Sequence, residues 1–188
     1  MVKTQRCSWC GDDPLYVEYH DHEWGVPERD GQELFERLVL EGMQAGLSWY
    51  TVLKKRERMR EQFFGFDPAL LAVHGESRLN EWLQDSGLIR HRGKLTSVIS
   101  NASAYLQIED FSELIWSYVG GKPRQHRRRG LSEIPSQTTE SVAMARALKK
   151  LGFRFVGPTT CYAFMQSVGL VNDHLINCPS HKYCRDRA

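Results

Sequence analysis

Long apolar runs are missing from this sequence. No segment approaches 18 uninterrupted apolar residues, which excludes an ordinary membrane span. The opening stretch Met1 to Cys10 has no apolar core of the secretory type, so the expectation is a soluble, cytoplasmic protein. Internal repeats and low-complexity tracts are absent as well. With 188 residues, 41% of them hydrophobic, the chain is large enough for one compact domain and too short for a second. An excess of one charge is also missing: 25 Lys and Arg against 23 Asp and Glu leave a net +2, which by itself points to no partner. Cysteine is scarce. Five is an odd number, and in a reducing compartment that argues against a disulfide framework.

What is present is unevenly placed. Basic residues gather in Lys54-Lys55-Arg56, in Arg90-His91-Arg92-Gly93-Lys94 and in the 122–129 stretch that ends in three arginines. Each such run can be a solvated face, yet three of them in a nearly neutral chain suit a polyanionic partner. Cysteines and histidines cluster at the two ends. Cys7, Cys10, His20 and His22 lie near the start, and His174, Cys178, His181 and Cys184 near the end.

Helical periodicity dominates the middle. Leu34, Phe35, Leu38, Val39 and Ala45 predict a helix over 31–45 that stops at Gly46, and Ser48 caps a second over 48–63. Asp67-Pro68 starts a third, and Leu79, Trp82 and Leu83 mark another that ends at Gly87. Further helices are expected over 94–106, 111–119 and 141–151, with a last one capped by Thr159 or Thr160. Asp12-Asp13-Pro14 and Gly25-Val26-Pro27 read as turns. Alternating patterns are scarce, and Phe153 to Val156 is too short to build a sheet. The fold class is all-α.

Three features carry chemistry. Cys7, His20, His174 and Cys178 form a Cys2His2 set, and the His-x3-Cys spacing lets its last pair face one ion. Such a set is closed and tetrahedral, suited to one structural Zn2+ that would tie the two ends of the chain together. Cys10, His22, His181 and Cys184 compete for the same role on spacing alone. Second, Glu41 shares a narrow helical stripe with Leu34, Leu38 and Ala45, so it faces the core, where a carboxylate is costly unless paired or functional. The glycine break at Gly46 can bring Trp49 to the same place, and Trp9, Tyr16, Tyr19 and Trp24 add aromatic surface. A carboxylate among aromatic rings suits a flat cationic heterocycle. Third, Leu83 to Lys94 reads as helix, glycine-bounded turn, helix. It would offer backbone N–H groups to a phosphate, with Arg90, Arg92 and Lys94 beside them.

Cys7-Ser8-Trp9, Asp13-Pro14-Leu15-Tyr16, Tyr19-His20-Asp21, Glu23-Trp24-Gly25-Val26-Pro27, Leu40-Glu41-Gly42, Gln44 to Trp49, Ile89 to Lys94 and Gly169 to His174 stand in this order along the chain. These blocks resemble the bacterial 3-methyladenine DNA glycosylase I family, over almost the whole span from Cys7 to Cys178. The resemblance implies a helix-hairpin-helix superfamily fold with the hairpin over about 79–106. It also implies hydrolysis of the N-glycosidic bond of 3-methyladenine in double-stranded DNA, by a monomer with no strand-cleaving lyase step. From the candidate ligands it selects Cys7, His20, His174 and Cys178 for zinc. It assigns Glu41 to catalysis, Tyr19 and Trp49 to the extruded base, Trp9 to the pocket wall, and Gly46 and Leu47 to the tip that fills the gap in the duplex. Arg90, Arg92, Gly93 and Lys94 would contact the backbone. Cys10, the basic 122–129 stretch and the tail after Cys178 depart from the family pattern. The aspartate typical of the wider superfamily has no assigned counterpart, although Asp110 lies at a fitting distance past the hairpin. A zinc-stabilised DNA-binding module without catalysis, and a metal-dependent hydrolase, are the rival readings.

Overall fold

The computed structural model describes residues 5–188, so Met1 to Thr4 of the opening stretch lie outside it. Helices make up nearly all of its regular structure. They are α1 (Pro14–His22), α2 (Gly31–Gln44), α3 (Trp49–Gln62), α4 (Pro68–Gln84), α5 (Arg92–Tyr105), α6 (Phe111–Ser117), α7 (Thr139–Lys150), α8 (Pro158–Ser167) and α9 (Pro179–Arg185). The strands, β1 (Arg124–Gln125) and β2 (Val171–Asn172), form one two-residue parallel ladder.

Local chemistry explains most helix starts. Asp13, Asp30, Ser48, Asp67 and Asp110 each accept a hydrogen bond from an N–H of the following first turn, and Pro14 and Pro68 sit where a missing N–H costs nothing. Asp110 is therefore an exposed cap for α6, bonded to the Glu113 N–H at 2.8 Å. The core is built on α2, whose Leu34, Phe35, Leu38 and Met43 are almost fully buried against α3, α5 and α8. Burial of such side chains contributes roughly 1.5–3 kcal/mol each.

Four sequence expectations are corrected. Asp13-Pro14 starts helix α1 and not merely a turn. The two helices expected between 67 and 87 are one, α4: Gly75 does not break it, and a Cβ there would lie 2.7 Å from Ile99 Cγ1, so the glycine admits α5 at close range. Helix α8 starts at Pro158 behind Gly157, with no side-chain cap from Thr159 or Thr160. It is followed by α9. Gly169, in the turn after α8, has φ +72° and a position where a Cβ would lie 2.5 Å from the Pro27 nitrogen. That approach seats the C-terminal segment on the N-terminal one.

Candidate active site and metal centre

Beside α2 lies a cavity of about 350 Å³, lined by Trp9, Tyr16, Tyr19, Trp24, Glu41, Gln44, Trp49, Leu131, Ile134, Ala163 and Gln166. That volume suits one small flat ligand. The sequence-predicted pocket residues Trp9, Tyr19, Glu41 and Trp49 thus come together. Tyr19 and Trp49 are 5.2 Å apart between ring centres, and Trp9 and Trp24 4.9 Å. The buried indole N–H of Trp49 has no partner among the described residues.

Glu41 is only 5% exposed. Burial pushes its carboxyl up to about 8, against the opposing influence of the Ser167 hydroxyl and the Arg37 charge. Glu36, one turn earlier, is equally buried but is paired with Arg60 at 2.8 Å. The two carboxylates on one helix therefore have different fates: one is neutralised by a cation of the protein, the other lines a cavity.

The loop from α2 to α3 forms a tip. Gly46 has φ +75°, a left-handed conformation that glycine adopts without strain, and Leu47 is 43% exposed. A smaller hollow lined by Glu41, Gln44, Gly46, Leu47, Thr160 and Ala163 joins this tip to the cavity. A surface groove lined by Leu47, Lys55, Leu88, Ile89 and Arg90 joins it to the turn between α4 and α5. Cavity, tip and hairpin therefore share one face.

At the hairpin, Asp85 accepts from the Gly87 N–H at 2.7 Å, and Leu88 and Ile89 are buried. Arg90, Arg92 and Gly93 are exposed, and the N–H groups of Arg92 and Gly93, in the first turn of α5, have no partner within the helix. Lys94 is a correction. It is 5% exposed, and its ammonium donates to the carbonyls of Met43 at 2.8 Å and Ala45 at 2.6 Å. Its own N–H is taken by His91 Nδ1 at 3.2 Å. Lys94 closes the C-terminal end of α2 and braces the tip; it does not face a phosphate.

The other basic runs are also partly committed. Arg56 pairs with Glu23 at 2.9 Å, and Lys55 donates to the Ser86 carbonyl at 2.7 Å. In the 122–129 stretch Arg124 pairs with Glu140, and His126 and Arg128 meet Asp173. Burial alone would raise the Asp173 carboxyl, but donors from His126, Tyr162 and Gln166 hold it down to about 2.

Behind the aromatic wall, Cys7, His20, His174 and Cys178 are all buried, with ligand atoms within 4.8 Å of one another. Cys7 Sγ lies 3.7 Å from His174 Nδ1, and Cys178 Sγ lies 3.6 Å from His20 Nε2 and 3.8 Å from His174 Nδ1. A tetrahedral ion with bonds of about 2.0–2.3 Å has ligand–ligand edges of roughly 3.3–3.8 Å, so the set fits a metal ion. The far ring nitrogens are fixed: His20 Nδ1 is 2.7 Å from Asp21, and His174 Nε2 is 2.8 Å from the Trp24 carbonyl. These contacts orient the imidazoles as outer partners of metal ligands do. In the Cys7–Cys178 pair, Cys178 ionises first, because Cys7 donates to it and both imidazoles adjoin it. The competing ligands are engaged elsewhere. Cys10 and Cys184 donate to the Cys7 and Trp24 carbonyls, His181 bonds the His126 carbonyl, and His22 adjoins Glu18.

Sequence reading did not find Leu131, Ile134, Ala163, Gln166 or Gln44 as pocket residues. Leu131 and Ile134 follow the basic stretch with no helical period, and Gln166 belongs to a helix read only for its apolar positions.

Comparison with known proteins agrees with this geometry. The methyladenine glycosylase family pattern matches residues 9–181. The chain is 53% identical to the DNA-3-methyladenine glycosylase 1 of Escherichia coli K12, over 93% of this chain and 95% of that one. A crystal structure of a 3-methyladenine DNA glycosylase I superposes with a TM-score of 0.92 at 53% identity, covering 93% of this chain and 98% of the other. The Staphylococcus aureus 3-methyladenine DNA glycosylase I, solved to explain its recognition of 3-methyladenine, gives 0.91 at 37% identity, over 95% and 97%. With a shared fold, a matching pattern over most of its length and this degree of identity, the chain belongs to the methyladenine glycosylase family.

Proposed function

We propose that this chain excises 3-methyladenine from double-stranded DNA by hydrolysing its N-glycosidic bond, with Glu41 as the catalytic carboxylate. One observation carries the reading: a buried carboxyl group, unneutralised by any protein cation at contact distance among the described residues, lines an aromatic cavity sized for one base. The names of the relatives point to the same substrate.

The chemistry follows from charge. Methylation at N3 makes the adenine of the intact nucleoside cationic and hence a good leaving group. In the empty cavity near neutral pH, Glu41 is largely protonated; a cation stacked between Tyr19, Trp49 and Trp9 draws it to the carboxylate form. Uncharged adenine has no such attraction. As the C1′–N9 bond breaks, its electron pair passes to N9 and cancels the charge on the base, while positive charge grows on the sugar. The carboxylate stabilises that charge, water bonds to C1′, and one proton is released. The described residues that line the cavity include no lysine to serve as a nucleophile, which supports hydrolysis without a lyase step.

Getting the base there requires extrusion, at a cost of a few kcal/mol. Leu47 on the tip is placed to fill the gap, with Gly46 giving the turn, while the Arg92 and Gly93 N–H groups and the Arg90 and Arg92 side chains hold the phosphates. Cys7, His20, His174 and Cys178 would hold one structural Zn2+, whose four protein ligands leave no position for substrate. That argues against a metal-dependent hydrolase, and the cavity argues against a purely binding module.

The test is release of free 3-methyladenine from methylated DNA, with and without EDTA. Release is expected in both while the fold persists, and Glu41→Ala is expected to lower it at least about 100-fold. Unchanged turnover in Glu41→Ala would remove Glu41 from the mechanism.

A further inference from the structure

We infer that Gln166 makes the pocket select a 6-amino purine over a 6-oxo purine, and that Asp173 holds Gln166 in the orientation this requires. The inference rests on the base-excising reading above.

Gln166 lies in the last turns of α8 and lines the cavity with Glu41 and Ala163. Its Nε2 donates to Asp173 Oδ2 at 2.9 Å. Asp173 is 1% exposed and ringed by donors. Tyr162 donates its hydroxyl to the same oxygen at 2.5 Å, and His126 Nδ1 and Arg128 Nε approach the other at 2.6 and 3.3 Å. A carboxylate in such a ring only accepts. The Gln166 amide therefore cannot turn over: its nitrogen must face Asp173, which leaves its carbonyl oxygen as the amide's free end beside the cavity that Gln166 lines.

A locked amide recognises what a free one cannot. A freely turning glutamine serves a donor or an acceptor equally well and so separates neither. A fixed carbonyl oxygen gains a bond from an amino group at C6 of a purine. Against a carbonyl at C6 it sets two acceptor oxygens face to face, which repel and leave both unpaired. The other polar groups are not locked in this way. Glu41, protonated in the empty cavity, can donate or accept and becomes a second acceptor only beside a cation; Tyr19 can donate or accept, Trp9 and Trp49 supply flat surface, and Gln44, at the end of α2, has no such carboxylate clamp among the described residues. Asp173 is thus a positioning residue and Gln166 a specificity residue.

The experiment compares free 3-methyladenine with 3-methylhypoxanthine, which has oxygen in place of the amino group at C6 and, with it, one ring N–H. Binding to the purified full-length protein is read by quenching of tryptophan fluorescence, alongside release of 3-methyladenine from methylated DNA. Wild-type protein is expected to prefer 3-methyladenine. Gln166→Met, of similar volume but without the acceptor, is expected to bind 3-methyladenine about tenfold more weakly and 3-methylhypoxanthine no worse, so the preference narrows about tenfold or more. Simple damage to the pocket would weaken both ligands alike, and that result overturns the inference. Equal affinity of the wild type for the two bases overturns it without any variant. Wild-type protein that binds neither base and releases none sinks the base-excising reading and this inference with it. Release by the wild type, with an unchanged preference in Gln166→Met, sinks this inference alone.

Discussion

Replacing Glu41 by glutamine is expected to stabilise the fold at alkaline pH while it damages function. The native carboxyl holds its proton up to about pH 8, whereas the unfolded chain releases it near 4.5. Between those limits the folded state binds more protons than the unfolded one, so stability falls as pH rises. The stabilising proton is present in full below pH 4.5 and is lost as pH passes through 8. The gap corresponds to on the order of 4–5 kcal/mol, an upper bound because a cavity admits water and the site can relax. Glutamine keeps the shape and has no proton to lose. Urea unfolding of both proteins at pH 5, 6, 7 and 8 reads the difference, and the metal site, common to both, cancels from it. Wild type and Glu41→Gln should be nearly equal at pH 5, with the variant ahead by a few kcal/mol at pH 8. A difference that stays flat across this range would refute the claim that burial, uncompensated by a cation, sets the state of Glu41.

Two further outcomes test the DNA-facing side. Lys94→Met leaves the Met43 and Ala45 carbonyls without their ammonium partner and is expected to cost about 2–4 kcal/mol, read by denaturant unfolding. Stability unchanged within 0.5 kcal/mol, by the ~0.5 kcal/mol scatter of neutral surface changes, would count against that bracing role. Leu47→Ala is expected to slow base release from duplex DNA while leaving affinity for free 3-methyladenine intact, since Leu47 belongs to the tip and not to the cavity lining. Equal loss in both assays would tie Leu47 to base recognition instead.

The sequence made some of these elements readable because their causes are local. The stripe of Leu34, Leu38 and Glu41 identified both a helix and its anomalous residue, since the period of a helix is fixed by its own backbone. The four metal-binding candidates were visible as residue types; choosing among eight required knowing that Cys10 turns back to the Cys7 carbonyl and that Cys184 meets the Trp24 carbonyl, a contact between segments 160 residues apart. Leu131, Ile134 and Gln166 had no local mark, because what makes them cavity residues is the arrival of α1, α2 and α8 at one place. Gly75 had no local mark either: only the neighbour at Ile99 shows that this glycine inside α4 is a contact surface.

Lys94 exposes the limit of reading charge from sequence. In the run Arg90 to Lys94 three side chains carry the same sign, and spacing cannot tell a solvated cation from a buried one. Helix geometry separates them. Arg90 and Arg92 lie at or before the first turn of α5, on its exposed side, whereas Lys94 turns inward to the end of α2, where unsatisfied carbonyls accumulate. Two carbonyls of that end lie within bonding distance of its ammonium, so the interior supplies the partners that make burial tolerable. The consequence joins the two parts of the DNA-facing surface. Helix α5, whose N-terminus we propose meets a phosphate, also fixes, through Lys94, the tip that carries Leu47, so hairpin and tip keep one spacing. On that proposal a DNA strand held by the hairpin would meet Leu47, and beyond it the Glu41 cavity, at a set distance.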